Sequence, residues 1–100
     1  MTADPDRDRL MGHDRVFARP RGVLWRRCPD GVIVLAEGMD EPVTLTSPGD
    51  VIWELLSAPT ELGQLIAELK SRFDATAEQI EADTTGFLVD AIAVGAVEAR

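Results

Sequence analysis

The stretch that decides the fold is VTLTSPGDVIWELL, residues 43–56, in which a strand pattern changes into a helix pattern. Its first four residues alternate apolar and hydroxyl side chains, which places the two apolar side chains on one face of a strand. Ser47 is a residue type that caps helices, Pro48 suits the first helical position, and Asp50 can complete a capping box. The apolar residues that follow recur at helical spacing. The stretch therefore predicts a strand that leads directly into a helix, which Pro59 ends.

Two further strands are predicted upstream. Residues 23–28 are rich in strand-forming side chains and stop at Pro29-Asp30-Gly31, a sequence that favours a turn. Residues 32–35 form an apolar, mostly β-branched run. With the strand at residues 43–46, the short spacing predicts an antiparallel meander.

The rest of the chain is predicted to be helical. Thr60 can cap a second helix, Thr76 with Gln79 can open a third, and Gly95 terminates that third helix. Because a three-stranded sheet alone is marginally stable, its apolar face must pack on these helices. The expected fold is α+β and winged-helix-like, with a three-stranded antiparallel sheet followed by three helices (βββααα).

The N-terminal residues have a different character. Residues 1–20 are polar and mixed in charge, lack strand or helix periodicity, and end at Pro20, so they are predicted to form a flexible arm. Val16 and Phe17 interrupt this polarity and could dock on the domain. The folded domain is placed at residues 21–100. Trp25 and Trp53, each within an apolar segment, are expected in its core.

The composition limits the possible functions. The chain has 100 residues, of which 45% are hydrophobic, so one packed domain is expected. It has no apolar run long enough to cross a membrane and no secretory signal, which makes the cytoplasm the default location. Cys28 is its only cysteine and His13 its only histidine, so one chain cannot supply a disulfide or four nitrogen or sulfur ligands for zinc. We expect no metal, no cofactor and no catalysis.

Part of the sequence resembles the PqqD-like proteins of modified-peptide biosynthesis, over about residues 23–98. The resemblance lies in a strand that leads into an Ile-Trp-Glu-Leu-Leu run, in the apolar pattern of the second helix, and in the third helix with its exit at residues 95–98. Thr46 stands where Asn is frequent in that family, and Ser57-Ala58-Pro59 where an Asp-Gly pair is frequent. These differences favour the wider group of PqqD-like recognition elements, which includes those of lasso-peptide and radical-SAM clusters, over the pyrroloquinoline quinone pathway itself.

The resemblance implies a non-catalytic adaptor. Such a domain binds the leader segment of a ribosomally synthesised precursor peptide and presents it to a modifying enzyme, such as a radical-SAM protein, a leader peptidase or a cyclase. An exposed third strand would pair with the leader, with pockets between that strand and the last helix. A homodimer through the sheet edge stays possible, and Phe87 has an alternative interpretation as a core residue. The resemblance assigns peptide binding to Val43, Thr44, Leu45 and Thr46 on the strand, and to Asp83, Phe87, Asp90 and Ala91 on the helix.

The main alternative is a winged-helix transcriptional regulator that binds DNA. DNA binding needs Lys and Arg side chains against phosphates. The net charge is −8, and residues 47–100 hold ten acidic residues against three basic ones. The second predicted helix is close to neutral, and the last has four acidic residues and no basic one. This charge distribution opposes a nucleic-acid partner.

Overall fold

The structure, a computed structural model, describes residues 12–100. The predicted meander is present as the strands β2 (Leu24–Cys28), β3 (Gly31–Leu35) and β4 (Val43–Leu45), in that order across an antiparallel sheet. Leu24 pairs with Leu35, Arg26 with Ile33, and Ile33 in turn with Thr44. In chain order the elements are β1 (Val16–Ala18), β2 (Leu24–Cys28), β3 (Gly31–Leu35), β4 (Val43–Leu45), α1 (Gly49–Leu55), β5 (Thr60–Glu61), α2 (Leu62–Arg72), α3 (Ala77–Ala93) and β6 (Glu98–Ala99).

The structure contains a second sheet that was not predicted. This sheet includes residues that were assigned to the N-terminal arm. Its strand order is β5-β1-β6, so β1 lies between two strands that are far away in sequence. Phe17 is completely buried. Nearby, the His13 carbonyl accepts a hydrogen bond from Gly63 N–H, and His13 Nε2 lies 2.8 Å from a Glu81 oxygen. The prediction of a flexible arm is therefore wrong for residues 16–18, which form a strand. Residues 1–11 of the predicted arm lie outside the residues that the structure describes.

The helix ends agree in part with the predictions. The Thr76 hydroxyl accepts a hydrogen bond from Gln79 N–H, and Gly95, with φ of 81°, follows the end of α3, as expected. Ser47 does not cap α1, because the helix begins one residue later than predicted and Pro48 occupies the N-cap position. Thr60 belongs to β5 and donates to the Leu55 carbonyl instead of capping α2.

The core joins the inner face of the meander to the helices. Val32 and Val34 of β3 are buried in one apolar cluster with residues of α1, α2 and α3, and Trp53 of α1 is fully buried, as predicted. Trp25 contradicts the prediction of a core residue, since it is 41% exposed. Within residues 12–100, no helix is both long and apolar enough to cross a membrane. In the same range, no three His, Cys, Asp or Glu side chains come together in a way that could hold a metal ion.

An arginine links the two tryptophans. The indole rings of Trp25 and Trp53 meet edge to face, with centroids 6.2 Å apart. The Arg19 guanidinium lies 4.6 Å from the centroid of each ring and donates to the Trp53 carbonyl oxygen. Burial lowers the pKa of Arg19 from its ordinary value, and the nearby Glu54 carboxylate opposes that shift. This cluster joins β2 and α1 to the segment that follows β1.

Candidate peptide-binding groove

One edge of the meander is free. β4 pairs with β3 on one side, and no strand within residues 12–100 pairs with its other side. A Cβ added at Gly31 would clash with the carbonyl oxygen of Leu45, so that carbonyl points toward β3. Backbone groups of successive residues point to opposite sides of a strand. The N–H and C=O groups of Thr44 therefore point away from β3, toward the open edge.

Helix α3 faces β4 across a groove of about 470 Å³. Phe87 is half-buried at the side of this groove, and its ring packs so closely on the start of α1 that a Cβ at Gly49 would lie 3.0 Å from it. Phe87 thus belongs both to the groove wall and to the margin of the core. The groove is lined by Thr44, Leu45, Thr46, Pro48, Gly49, Ala82, Asp83, Gly86 and Phe87.

A smaller apolar pocket adjoins one end of the groove. It has a volume of about 140 Å³ and shares Pro48 and Asp83 with the groove. Its apolar walls come from Leu69 and Phe73 of the α2 region and from Ile80 of α3. A chain that pairs with β4 would find here a space for one apolar side chain.

Asp83 supplies the charge of the groove. It is exposed and is the one charged residue in the groove lining. Among residues 12–100 it forms no ion pair, whereas a Glu81 oxygen, two residues away, lies 2.8 Å from His13 Nε2. An open strand edge, apolar walls and one carboxylate together suit an extended peptide with a basic side chain.

The sequence of this region matches a known family. The matching family model is that of coenzyme PQQ synthesis protein D (PqqD), over residues 31–97. The chain belongs to the PqqD family. The matched range contains β4, α3 and all the residues that line the groove. No curated protein matches the chain at a significant level.

Two solved structures share this PqqD fold. One is TbiB1 in complex with the TbiA(beta) leader peptide, with a TM-score of 0.73 and 18% sequence identity over 81% of this chain and 94% of that chain. The other is the solution NMR structure of the PqqD truncation of Methylobacterium extorquens PqqCD, a stand-alone recognition element for ribosomally synthesised and post-translationally modified peptides. Its TM-score is 0.68 and its sequence identity 24%, over 83% of this chain and 88% of that chain.

The PqqD groove brings together most of the residues that the sequence singled out. Thr44, Leu45 and Thr46 line one wall, and Asp83 and Phe87 line the other. The remaining three do not line it. Val43 is exposed on β4, Ala91 is buried in the core, and Asp90 is exposed about 10 Å farther along α3 than Asp83.

Four residues that line the groove were not predicted from the sequence, although one of them could have been recognised there as unusual. Gly86 lies in the interior of α3, where glycine costs the helix about 1 kcal/mol relative to alanine. A Cβ at this position would meet no atom within 4 Å, so packing inside the domain does not require glycine. The other three, Pro48, Gly49 and Ala82, have no such signal, because only the tertiary fold brings them to the groove.

Proposed function

We propose that this PqqD-family domain binds the leader segment of a ribosomally synthesised precursor peptide and presents it to a modifying enzyme, without catalysing a reaction itself. The leader lies in the groove and pairs with β4 as a fourth strand. Main-chain hydrogen bonds give affinity, while the apolar pocket and Asp83 select side chains. The enzyme is a radical-SAM protein, a leader peptidase or a cyclase.

The observation that carries this proposal is the free edge of β4 opposite α3. The outward N–H and C=O groups of Thr44 provide one donor and one acceptor for an added strand. On the C-terminal side of Thr44, the Thr46 carbonyl already accepts a hydrogen bond of 3.2 Å from Asp50 N–H, so it is less available to an added strand. Pairing is therefore centred on Thr44.

The relatives support the same function. TbiB1 was solved with a leader peptide, and the PqqD part of Methylobacterium extorquens PqqCD is a recognition element that works without a further domain. This chain shares their fold over more than four fifths of its length. The DNA-binding alternative has no comparable support, because the groove carries a carboxylate and no basic side chain.

Replacement of Thr44 tests strand addition directly. Thr44→Pro removes the outward N–H, and proline is tolerated on an edge strand. We expect its affinity for the cognate leader peptide to fall about fivefold, the value of one hydrogen bond of about 1 kcal/mol. Thr44→Val is the matched control, since it loses the hydroxyl but keeps the N–H, and it should bind like the wild type. Isothermal titration calorimetry measures both.

An NMR titration of the labelled wild-type domain locates the leader. Amide shifts are expected at residues 43–46 and along the groove side of α3, from Ala82 to Phe87. Shifts confined to α2 and to the loop at residues 36–42 would contradict the proposal. So would equal losses of affinity in the two Thr44 variants.

A further inference from the structure

Gly86 interrupts the wall that α3 presents to the groove. It lies in the interior of this helix (Ala77–Ala93), where glycine is less favourable than alanine. A glycine at such a position has one of three causes: a backbone conformation that other residues avoid, close packing inside the domain, or contact with a bound molecule. The structure allows each cause to be checked.

The domain itself does not require this glycine. The φ angle of Gly86 is not positive, unlike that of Gly95. A Cβ at Gly86 would meet no atom within 4 Å. At Gly49, by contrast, a Cβ would lie 3.0 Å from the Phe87 ring, so packing does disfavour a side chain there. Within residues 12–100, neither backbone conformation nor packing accounts for Gly86, which leaves contact with a bound molecule.

The missing side chain leaves a depression in the groove wall, the Gly86 hollow. Residues three and four positions apart are neighbours on a helix surface, so the hollow is bordered by Ala82 on one turn and by Val89 on the next. Ala82 contributes only a methyl group, and Val89 is apolar and 52% exposed. The hollow is therefore apolar, and it opens to the groove that Ala82 and Gly86 both line.

Phe87 keeps α3 at a distance from the strand edge. Its ring packs against Gly49 at the start of α1, and the Leu45 side chain of β4 lies close to the same point. An aromatic ring therefore stands between α3 and β4. A leader strand lies about 4.8 Å from β4, so a layer of side chains separates its backbone from α3. It follows that a leader side chain, and not leader backbone, fills the hollow.

Strand geometry brings such a side chain to α3. Thr44 pairs with Ile33, which lies on the face of the sheet opposite to that of the buried Val32 and Val34. A leader residue that pairs with Thr44 shares the face of Thr44. The leader residues before and after it point to the other face, which packs on the helices. One of these two residues faces the hollow.

A second copy of the chain is a poorer occupant of the hollow. In a two-fold symmetric contact the same surface meets itself, so α3 would pack on α3. This helix contains four acidic residues and no basic one, so the contact would bring like charges together. An apolar side chain of a bound peptide meets no such repulsion.

We infer that Gly86 determines the specificity of the groove, because it admits one bulky apolar side chain, aromatic or branched aliphatic, from a leader residue adjacent to the one that pairs with Thr44. The inference rests on the proposed leader-binding function and names the class of leader that the domain selects. Glycine lowers the stability of α3, and the compensating gain lies in the bound leader.

Selection from a displayed library of random peptides tests this inference. The wild type should enrich peptides with an aromatic or branched aliphatic residue at one fixed position. Gly86→Leu fills the hollow and should enrich peptides with Gly, Ala or Ser at that position. Ala93→Leu is the matched control, since it adds the same side chain at an exposed residue two turns farther along α3, outside the groove. It should select like the wild type.

Isothermal titration calorimetry with a selected peptide measures the size of the effect. Replacement of the bulky residue of the peptide with alanine should weaken binding to the wild type about tenfold or more. Gly86→Leu should bind the bulky peptide about tenfold more weakly than the wild type does, and should bind the alanine version at least as tightly as the bulky one.

Thermal unfolding separates contact with the leader from a role in the fold. Gly86→Ala should raise the Tm by about 4–8 °C, because alanine is the better helix former and the domain is small. A lower Tm would show that the fold requires the glycine, which would overturn the inference. The same measurement verifies that Gly86→Leu and Ala93→Leu are folded.

The outcomes separate the two proposals. If the wild type enriches no peptide, the proposed leader-binding function fails. If Gly86→Leu enriches the same residues as the wild type at every position, or is folded and enriches nothing, peptide binding stands and the specificity inference is wrong. Enrichment of Gly or Ala at every position by the wild type would also overturn it. So would a wild-type dimer in sedimentation that Gly86→Leu dissociates, with a second copy as the occupant.

Discussion

At the scale of single residues, Asp83 and Asp90 form a matched pair. Both are exposed carboxylates on α3, but only Asp83 lines the groove. Their spacing of seven residues puts them on nearly the same side of the helix. The sequence therefore assigns both to one face, and only the position of β4 in the folded domain separates their environments.

We predict that Asp83→Asn slows association of a leader with a Lys or Arg near this position, whereas Asp90→Asn does not. An exposed charge pair contributes up to about 1 kcal/mol, so the on-rate should fall by up to about fivefold at low salt. The difference should vanish near 1 M salt, where charges are screened within about 3 Å. Stopped-flow measurements give the rates. Equal effects of the two substitutions would show that Asp83 acts only through the net charge.

Helix caps show which residue-scale predictions the sequence supports. The Thr76 cap is a local interaction with Gln79 N–H, three residues away, and was predicted correctly. The prediction that Ser47 caps α1 was wrong, although Ser47 and Pro48 are favourable residue types for a helix start. There the chain leaves β4 and enters α1 beside Phe87, and the N-cap lies at Pro48.

At the scale of elements, the difference between prediction and structure lies in the second sheet. β1 has three residues, and its partners β5 and β6 have two each. β4 is equally short, but its alternation continues to Thr46, whereas residues 16–18, 60–61 and 98–99 show no alternation that a sequence pattern can detect. β2 and β3 were predicted from their strand-forming and β-branched residues, and the helices from their apolar spacing. The family resemblance implied a groove between β4 and α3, whereas no pattern in the sequence indicated that β1 pairs with β5 and β6.

We predict that β1 is required for stability. Phe17→Ala removes a fully buried ring and should lower the free energy of unfolding by about 3–5 kcal/mol. Leu24→Ala, at a largely exposed residue, is the control and should change it by less than about 0.5 kcal/mol. Urea denaturation followed by circular dichroism measures both. If Phe17→Ala unfolds at the same urea concentration as the wild type, residues 16–18 would again be interpreted as an arm outside the fold.

At the scale of the whole molecule, the charge distribution separates the domain from winged-helix regulators. α3 carries acidic residues and no basic one, and in α2 Arg72 lies 3.6 Å from a Glu68 oxygen. We predict no binding to duplex DNA at physiological salt, since such binding depends on unpaired Lys and Arg side chains. Fluorescence anisotropy with a labelled duplex measures this. Salt-sensitive binding in the nanomolar range would contradict the adaptor function.

The pair of tryptophans around Arg19 has a spectroscopic consequence. The chain contains two tryptophans and no tyrosine, so its ultraviolet fluorescence comes almost entirely from these two indoles. Trp53 is buried, and Trp25 of β2 pairs with Val34, whose side chain points into the core, so the Trp25 ring lies on the inner face of the meander against Trp53. Without any attached dye, the emission of the domain therefore reports on the packing of β2 against α1, a contact that is lost when the domain unfolds.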